Sequence, residues 1–174
     1  MVSSANRWPS RGRTLAFVGV LVVASLVAVA LRAEVRQFTG RVVGVSDGDT
    51  ILVLTDGRAV KVRLAGIDCP EKRQAFGARA KQFASEQAFG RDVTVIATGR
   101  DRYGRTIGEV LLPSGDSLNR ELVRAGLAWW YRQYSNDEDL AKLEAAAREA
   151  RRGLWADPHP VPPWEFRKAN KGVR

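Results

Sequence analysis

The 174-residue chain has one cysteine, Cys69, and one histidine, His159. The first scarcity excludes an intramolecular disulfide and any zinc site built from several thiolates. The second leaves Ser-His-Asp catalysis and histidine-rich metal centres without material. His159 itself stands in DPHPVPP, a turn-forming run that reads as a solvated loop. No internal repeat or low-complexity tract appears, so neither a solenoid nor a compositionally biased array is indicated. Acidic residues are short as well, 19 against 28 Lys and Arg, for a net charge of +9. Such an excess points to a polyanionic partner, either nucleic acid or an anionic membrane surface. With 45% apolar residues the chain can fill the core of one ordinary domain.

One long apolar run is present. Arg7, Arg11 and Arg13 precede the uncharged stretch from Leu15 to Leu31, and Arg32, Glu34 and Arg36 close it. As a helix the run would be roughly 26 Å long, a little short of a ~30 Å hydrocarbon core. Ala28-Val29-Ala30 offers a small-x-small cleavage site, although the run is longer than a usual signal core. Residues 1–33 are therefore expected to be a signal peptide or a membrane anchor through 15–31, either of which exports the remainder of the chain. From Arg36 onward 24 basic residues face 18 acidic ones, so a net +6 belongs to the folded part. The expected division is a domain over 36–156 and a basic Pro- and Trp-containing tail over 157–174, which wraps back through Trp155 and Trp164 or frays.

Short strands come first in that domain, then helices. GRVVGV, TILVL and VKVRLA read as strands separated by SDGDT and TDG turns. Alternation in the third puts Val60, Val62 and Leu64 on one face and Lys61, Arg63 and Ala65 on the other. A helix is expected from about Gln74 to Phe89, with Phe76, Ala80, Phe83 and Gln87 as its stripe. VTVIAT and TIGEVLL are two more strands around the loop GRDRYGR. Ser117 can cap a helix over Leu118–Ala125 with Gly126 as its stop, and Ser135 with Glu138 has the capping-box spacing ahead of Asp139–Arg152. Leu140, Leu143, Ala147 and Ala150 would form the buried stripe of that last helix. The fold class is α+β, mainly β: a five-stranded barrel of OB type, flanked by about three helices.

Charged groups fall at the strand ends of this sheet. Asp47 and Asp49 lie in the turn before the second strand, Arg63 on the third, Asp68 and Glu71 just after it, and Arg102 and Arg105 in the loop between the fourth and fifth. Carboxylates bind a hard divalent cation, arginines hold a phosphate bidentately, and a spare carboxylate can orient or deprotonate a water. Taken singly, Asp47-Gly48-Asp49 is a hairpin turn, Arg63 an exposed strand arginine, and Tyr103-Gly104-Arg105 a loop with glycine at positive φ. Their joint occurrence describes a phosphodiesterase site.

VSDGDTILV, VRLAGIDCPE, DRYGR, LNRELVRAGLA and the final GLW together resemble the staphylococcal (micrococcal) nuclease-like, or thermonuclease, family over about Phe38 to Trp155. The resemblance implies that Asp49 and Asp68 ligate Ca2+ with the backbone carbonyl of Cys69, that Glu71 serves the attacking water, and that Arg63 and Arg105 clamp phosphate. It implies hydrolysis of DNA, with RNA a further class, to 3′-phosphate ends; single strands are the expected preferred partner and a monomer the expected state. Two features depart from the family pattern. Its paired tyrosines fall here on Arg132 and Tyr134, with Tyr131 one place early, so Tyr134, Tyr131 and Arg102 are the substrate-binding candidates. The loop after Glu71, EKRQAFG, is also shorter than in the best-known member. Trp129 and Trp130 are expected to pack against the barrel rather than to stack on bases. The alternatives are a catalytically silent OB module binding nucleic acid and a membrane-tethered adaptor. Neither accounts for an intact set of Asp49, Arg63, Asp68, Glu71 and Arg105.

Overall fold

A computed structural model describes residues 36–170. The expected signal or anchor lies outside them, and among the described residues no helix is long and apolar enough to cross a membrane.

Strand β1 (Arg36–Asp47) is longer than GRVVGV, and its length lets it serve two neighbours. Its first half pairs with β5 (Asp92–Arg100), its second with β2 (Thr50–Thr55). Register shifts at Val42/Gly44 and Val45/Asp47 bend it between the two, as bulges do. Next come β3 (Arg58–Leu64), antiparallel to β2, and β6 (Thr106–Leu111), antiparallel to β5. Parallel pairing of Val62, Arg63 and Leu64 with Thr106, Ile107 and Gly108 joins β3 to β6, which closes the barrel in the order β1-β2-β3-β6-β5. The five expected strands thus form the expected barrel, with no free edge. Val42, Ile51, Val53, Val62, Leu64, Val93, Val95 and Val110 fill it. Each such side chain contributes about 1.5–3 kcal/mol when fully buried.

Helix α1 (Gly77–Ala88) packs on β1, and α2 (Leu118–Arg124) packs on α3 (Glu138–Glu149). Helix α1 starts three residues later than Gln74 because residues 74–76 belong to a tight loop. Gln74 accepts the Glu71 N–H through its side chain, and a Cβ on Gly77 would overlap the Glu71 carbonyl. Phe76 takes a left-handed φ of 65° to enter the helix. That conformation costs on the order of 1–2 kcal/mol, offset by packing of its ring against the core. The buried stripe of α1 is Gly77, Ala80, Ala84 and Ala88, so of the expected set only Ala80 is fully buried. Small residues bring this helix close to the barrel.

Ser117 caps α2 as expected, accepting from Arg120 N. The capping box of α3 is corrected: Asp137 is the cap, accepting from Asp139 N and Leu140 N, while Ser135 accepts from Asp137 N. An aspartate two residues further on outcompetes serine because its charge also suits the helix N-terminus. Ala150 is exposed just past α3, and Glu144 takes the buried place on the stripe. Two very short strands, β4 (Ile67–Asp68) and β7 (Trp129–Trp130), pair antiparallel outside the barrel; their two-residue length gives no periodicity to read.

After a 3-10 turn at Gly153–Ala156, a proline-rich run leads into α4 (Pro163–Ala169), with Pro163 at its first position. This segment wraps back on the domain. Trp155 and Trp164 meet Trp129 edge-on at 4.4 and 5.6 Å between ring centroids, and Trp164 stacks on Tyr131 at 5.3 Å. Gln74 also donates to the Val161 carbonyl at 2.6 Å. Trp129 is buried, but in a second cluster with Ala147, Leu154 and Trp155 rather than against the barrel as expected, while Trp130 packs on the main core.

Candidate active site

The hairpin between β1 and β2 turns on Gly48-Asp49, and space decides the glycine. A Cβ on Gly48 would come within 2.7 Å of Ala80 Cβ and 2.9 Å of Cys69 Sγ. The turn is thereby pressed between α1 and the strand β4 region, which buries Asp49. Its Oδ2 accepts from Cys69 N at 2.9 Å and its Oδ1 from the Thr50 hydroxyl at 3.1 Å. Asp68, on β4, is 1% exposed. Arg63, rising from β3, joins the two aspartates: Nη1 lies 2.7 Å from Asp49 Oδ2 and Nη2 2.9 Å from Asp68 Oδ1.

Burial pushes the Asp49 carboxyl up to about 7, with Asp47 beside it adding to the shift and Arg63 opposing it. Geometry alone suggests a depressed carboxylate in a tight ion pair, yet loss of hydration outweighs the single arginine. For Arg63, burial acts downward and is outweighed by Asp49 and Asp68, so the guanidinium is held above its usual range. The buried Cys69 thiol is pushed well up, by burial first and then by Asp49.

Glu71 follows the buried Pro70 and stands at the rim, its side chain 41% exposed. Arg167 of α4 reaches it. Nη1 of Arg167 donates to Glu71 Oε1 at 2.8 Å and Asp68 Oδ1 at 3.2 Å, while Nη2 donates to Asp68 Oδ2 at 2.8 Å. These carboxylates, outweighing the effect of burial, raise the Arg167 guanidinium. Sequence reasoning missed Arg167. The only signal was PPWEFRK, in which Trp164 and Arg167 share a helical face at i, i+3.

Among the described residues, Arg102, Arg105 and Tyr134 make no hydrogen bond or ion pair to Asp49, Asp68 or Glu71. Arg105 forms an ion pair with Asp101 at 2.6 Å, and Asp101 also caps the loop by accepting from Tyr103 N and Arg105 N. Arg102 and Arg105 lie over the Tyr103 ring at 4.9 and 5.7 Å. Gly104 has the positive φ expected of it, 78°. Tyr134 is 70% exposed and meets Tyr131 edge-on at 4.8 Å. Tyr131 lies nearer the carboxylates, its phenol raised by burial and then by Asp68.

The donor set suits a hard cation. Asp47, Asp49, Asp68 and Glu71 are four acids facing two arginines, Arg63 and Arg167. Asp47 Oδ1 is also buried with no hydrogen-bond partner, as an oxygen prepared for a cation would be. No group of three or more His, Cys, Asp or Glu side chains forms a ready-made metal cluster among the described residues. Two aspartates would need a backbone carbonyl and water to complete a shell.

Acidic oxygens and arginines gathered between the β1–β2 hairpin, the end of β3 and the β4 strand beside a closed five-stranded barrel define a phosphodiester-cleaving hydrolase. Residues 61–157 match the family described as "Staphylococcal nuclease homologue". The chain is 44% identical over 172 residues to "Protein ParB" of Escherichia coli, covering 93% of each. It is 48% identical over 128 residues to an "Uncharacterized endonuclease" of Escherichia coli O157:H7, covering 74% of this chain and 84% of the relative. To the "Micrococcal nuclease" of Shigella flexneri it is 41% identical over 162 residues, 87% and 93% of the two chains. The chain belongs to the staphylococcal nuclease family, and it is a nuclease.

Proposed function

We propose that the protein is an exported, Ca2+-dependent nuclease that cleaves DNA, and RNA as a further class, to 3′-phosphate ends. Single strands are its preferred substrate. The observation that carries the reading is the buried Asp49–Arg63–Asp68 triad with Glu71 at its rim, on a barrel of the nuclease family. Asp49, Asp68 and the Cys69 carbonyl would hold the cation, with orphaned Asp47 Oδ1 beside them. Bound there, calcium supplies neutralisation of phosphate charge and polarisation of the phosphorus.

Each protein group then has a task. Glu71 orients a water and takes its proton as the oxygen attacks phosphorus in line with the leaving 5′-oxygen. The P–O5′ bond breaks, the 5′-oxygen takes a proton from solvent and leaves as a hydroxyl, and the phosphate stays on the 3′ side. Arg63 exchanges Asp49 and Asp68 for phosphate oxygens once the aspartates are otherwise compensated, and Arg105 does the same from Asp101. Both then stabilise charge that grows in the transition state. Tyr134, 70% exposed and steadied edge-on by Tyr131, offers a face for an adjoining base, with Arg102 nearby in sequence to Arg105 for its phosphate. Export rests on the basic flank and the apolar run from Leu15 to Leu31.

Purified protein is incubated with single-stranded DNA in calcium, then in EGTA, beside Glu71→Ala. Cleavage that needs calcium and falls with Glu71→Ala is expected; binding without cleavage by the wild type sinks the reading.

A further inference from the structure

We propose that Arg167, which lies ten residues beyond the family match ending at residue 157, is a positioning residue of the active site. The inference rests on the nuclease reading and goes beyond it by adding a residue from a separate element. Glu71 has its backbone fixed by Pro70 and by Gln74, but its side chain is 41% exposed and has several rotatable bonds. Asp68, by contrast, is buried and its backbone is paired to Trp129 across the β4–β7 ladder. Arg167 Nη1 bonds both carboxylates at once, so it ties the mobile Glu71 to the immobile Asp68. Glu71 Oε1 is taken up in this way, which leaves its second oxygen to face a water.

The tie is only as rigid as the element that carries it. Helix α4 is held by Trp164, stacked on Tyr131 with planes 3° apart and meeting Trp129 edge-on. Its approach is fixed again at Val161 by Gln74, whose own side chain accepts the Glu71 N–H. The loop carrying Glu71 and the segment carrying Arg167 are thus bonded to each other at two points. A planar two-armed donor is what this geometry uses, and an ammonium cannot reproduce it.

The test compares the full-length wild type with Arg167→Ala and Arg167→Lys in calcium. The expected result is a fall in kcat of about a hundredfold for Arg167→Ala, as a misplaced catalytic group costs, with KM nearly unchanged. Added methylguanidinium should restore part of that kcat. Arg167→Lys should lose most of the same kcat with its charge intact. Oligonucleotide binding in EGTA, read by fluorescence anisotropy, should stay close to wild type, while the melting temperature should fall in Arg167→Ala, where buried Asp68 loses one of its two arginines, and less in Arg167→Lys. Full or raised activity in Arg167→Ala, a loss confined to KM, or a loss that methylguanidinium leaves unchanged would overturn the assignment. A wild type that cleaves nothing sinks the nuclease reading instead, before any variant is compared.

Discussion

Arg63 is paired in this structure with the two aspartates assigned to the cation, and it is also the arginine assigned to the phosphate. Its removal should therefore register twice. Arg63→Ala should lower kcat/KM at least a hundredfold, a loss of about 2.7–4 kcal/mol by analogy with a lost oxyanion donor. It should also lower the melting temperature in EGTA, because Asp49 loses its buried partner and Asp68 keeps only Arg167. Near-normal turnover in a folded variant would remove Arg63 from the mechanism. Asp49 makes a pH prediction. Its folded pKa is raised, to about 7, so the folded state keeps a proton that the unfolded chain releases at about pH 4. Its contribution is thus greatest below about pH 4 and is lost as pH rises toward 7. Thermal melts in EGTA should show that decline, and Asp49→Asn, facing the same Asp47 and Arg63, should flatten it; an equal slope in both proteins refutes it. At this scale the sequence was informative where a motif fixes neighbours, as in Asp49, Asp68 and Glu71. It named Arg105 as a phosphate clamp but gave no sign that in the folded chain its side chain pairs with Asp101.

Strands were legible because alternation and turn residues act locally, and Val60, Val62, Leu64 against Arg63 came out as the spacing required. Caps were less so. Ser135 and Asp137 both suit a helix start, and only the folded chain shows that Asp137 takes Asp139 N and Leu140 N. Asp137→Ala should accordingly cost about 1 kcal/mol of stability, and Ser135→Ala clearly less. Asp137 also pairs with Arg120 at 3.0 Å, which adds to the difference. Chemical denaturation of the two variants checks the order, and a larger loss at Ser135 would restore the capping box. Helix α1 shows a different limit: close approach of Gly77 to the Glu71 carbonyl sets its start, and no local pattern encodes that contact.

For the molecule as a whole, a net +6 beyond residue 35 should govern how substrate is met. Binding of a single-stranded oligonucleotide in EGTA should weaken log-linearly with salt, with a slope of about −0.7 per phosphate engaged. A salt-independent affinity would mean that stacking, not phosphate, holds the strand. Barrel closure through the parallel β3–β6 pairing, and the return of α4 to Asp68, join residues far apart in the chain. No window of sequence contains both partners, which is why the closure and the Arg167 contact were the least readable parts of the fold.

That separation has a consequence in time. Arg167 follows Asp68 by 99 residues. At ribosomal speeds of about 5–20 residues per second, the interval between them is roughly 5–20 s. Throughout it the nascent chain already carries Asp68 and Glu71 but not the arginine that ties the second to the first. A nuclease made beside its host's own messages would thus emerge blunt and be sharpened last, after nearly all of its barrel has left the ribosome.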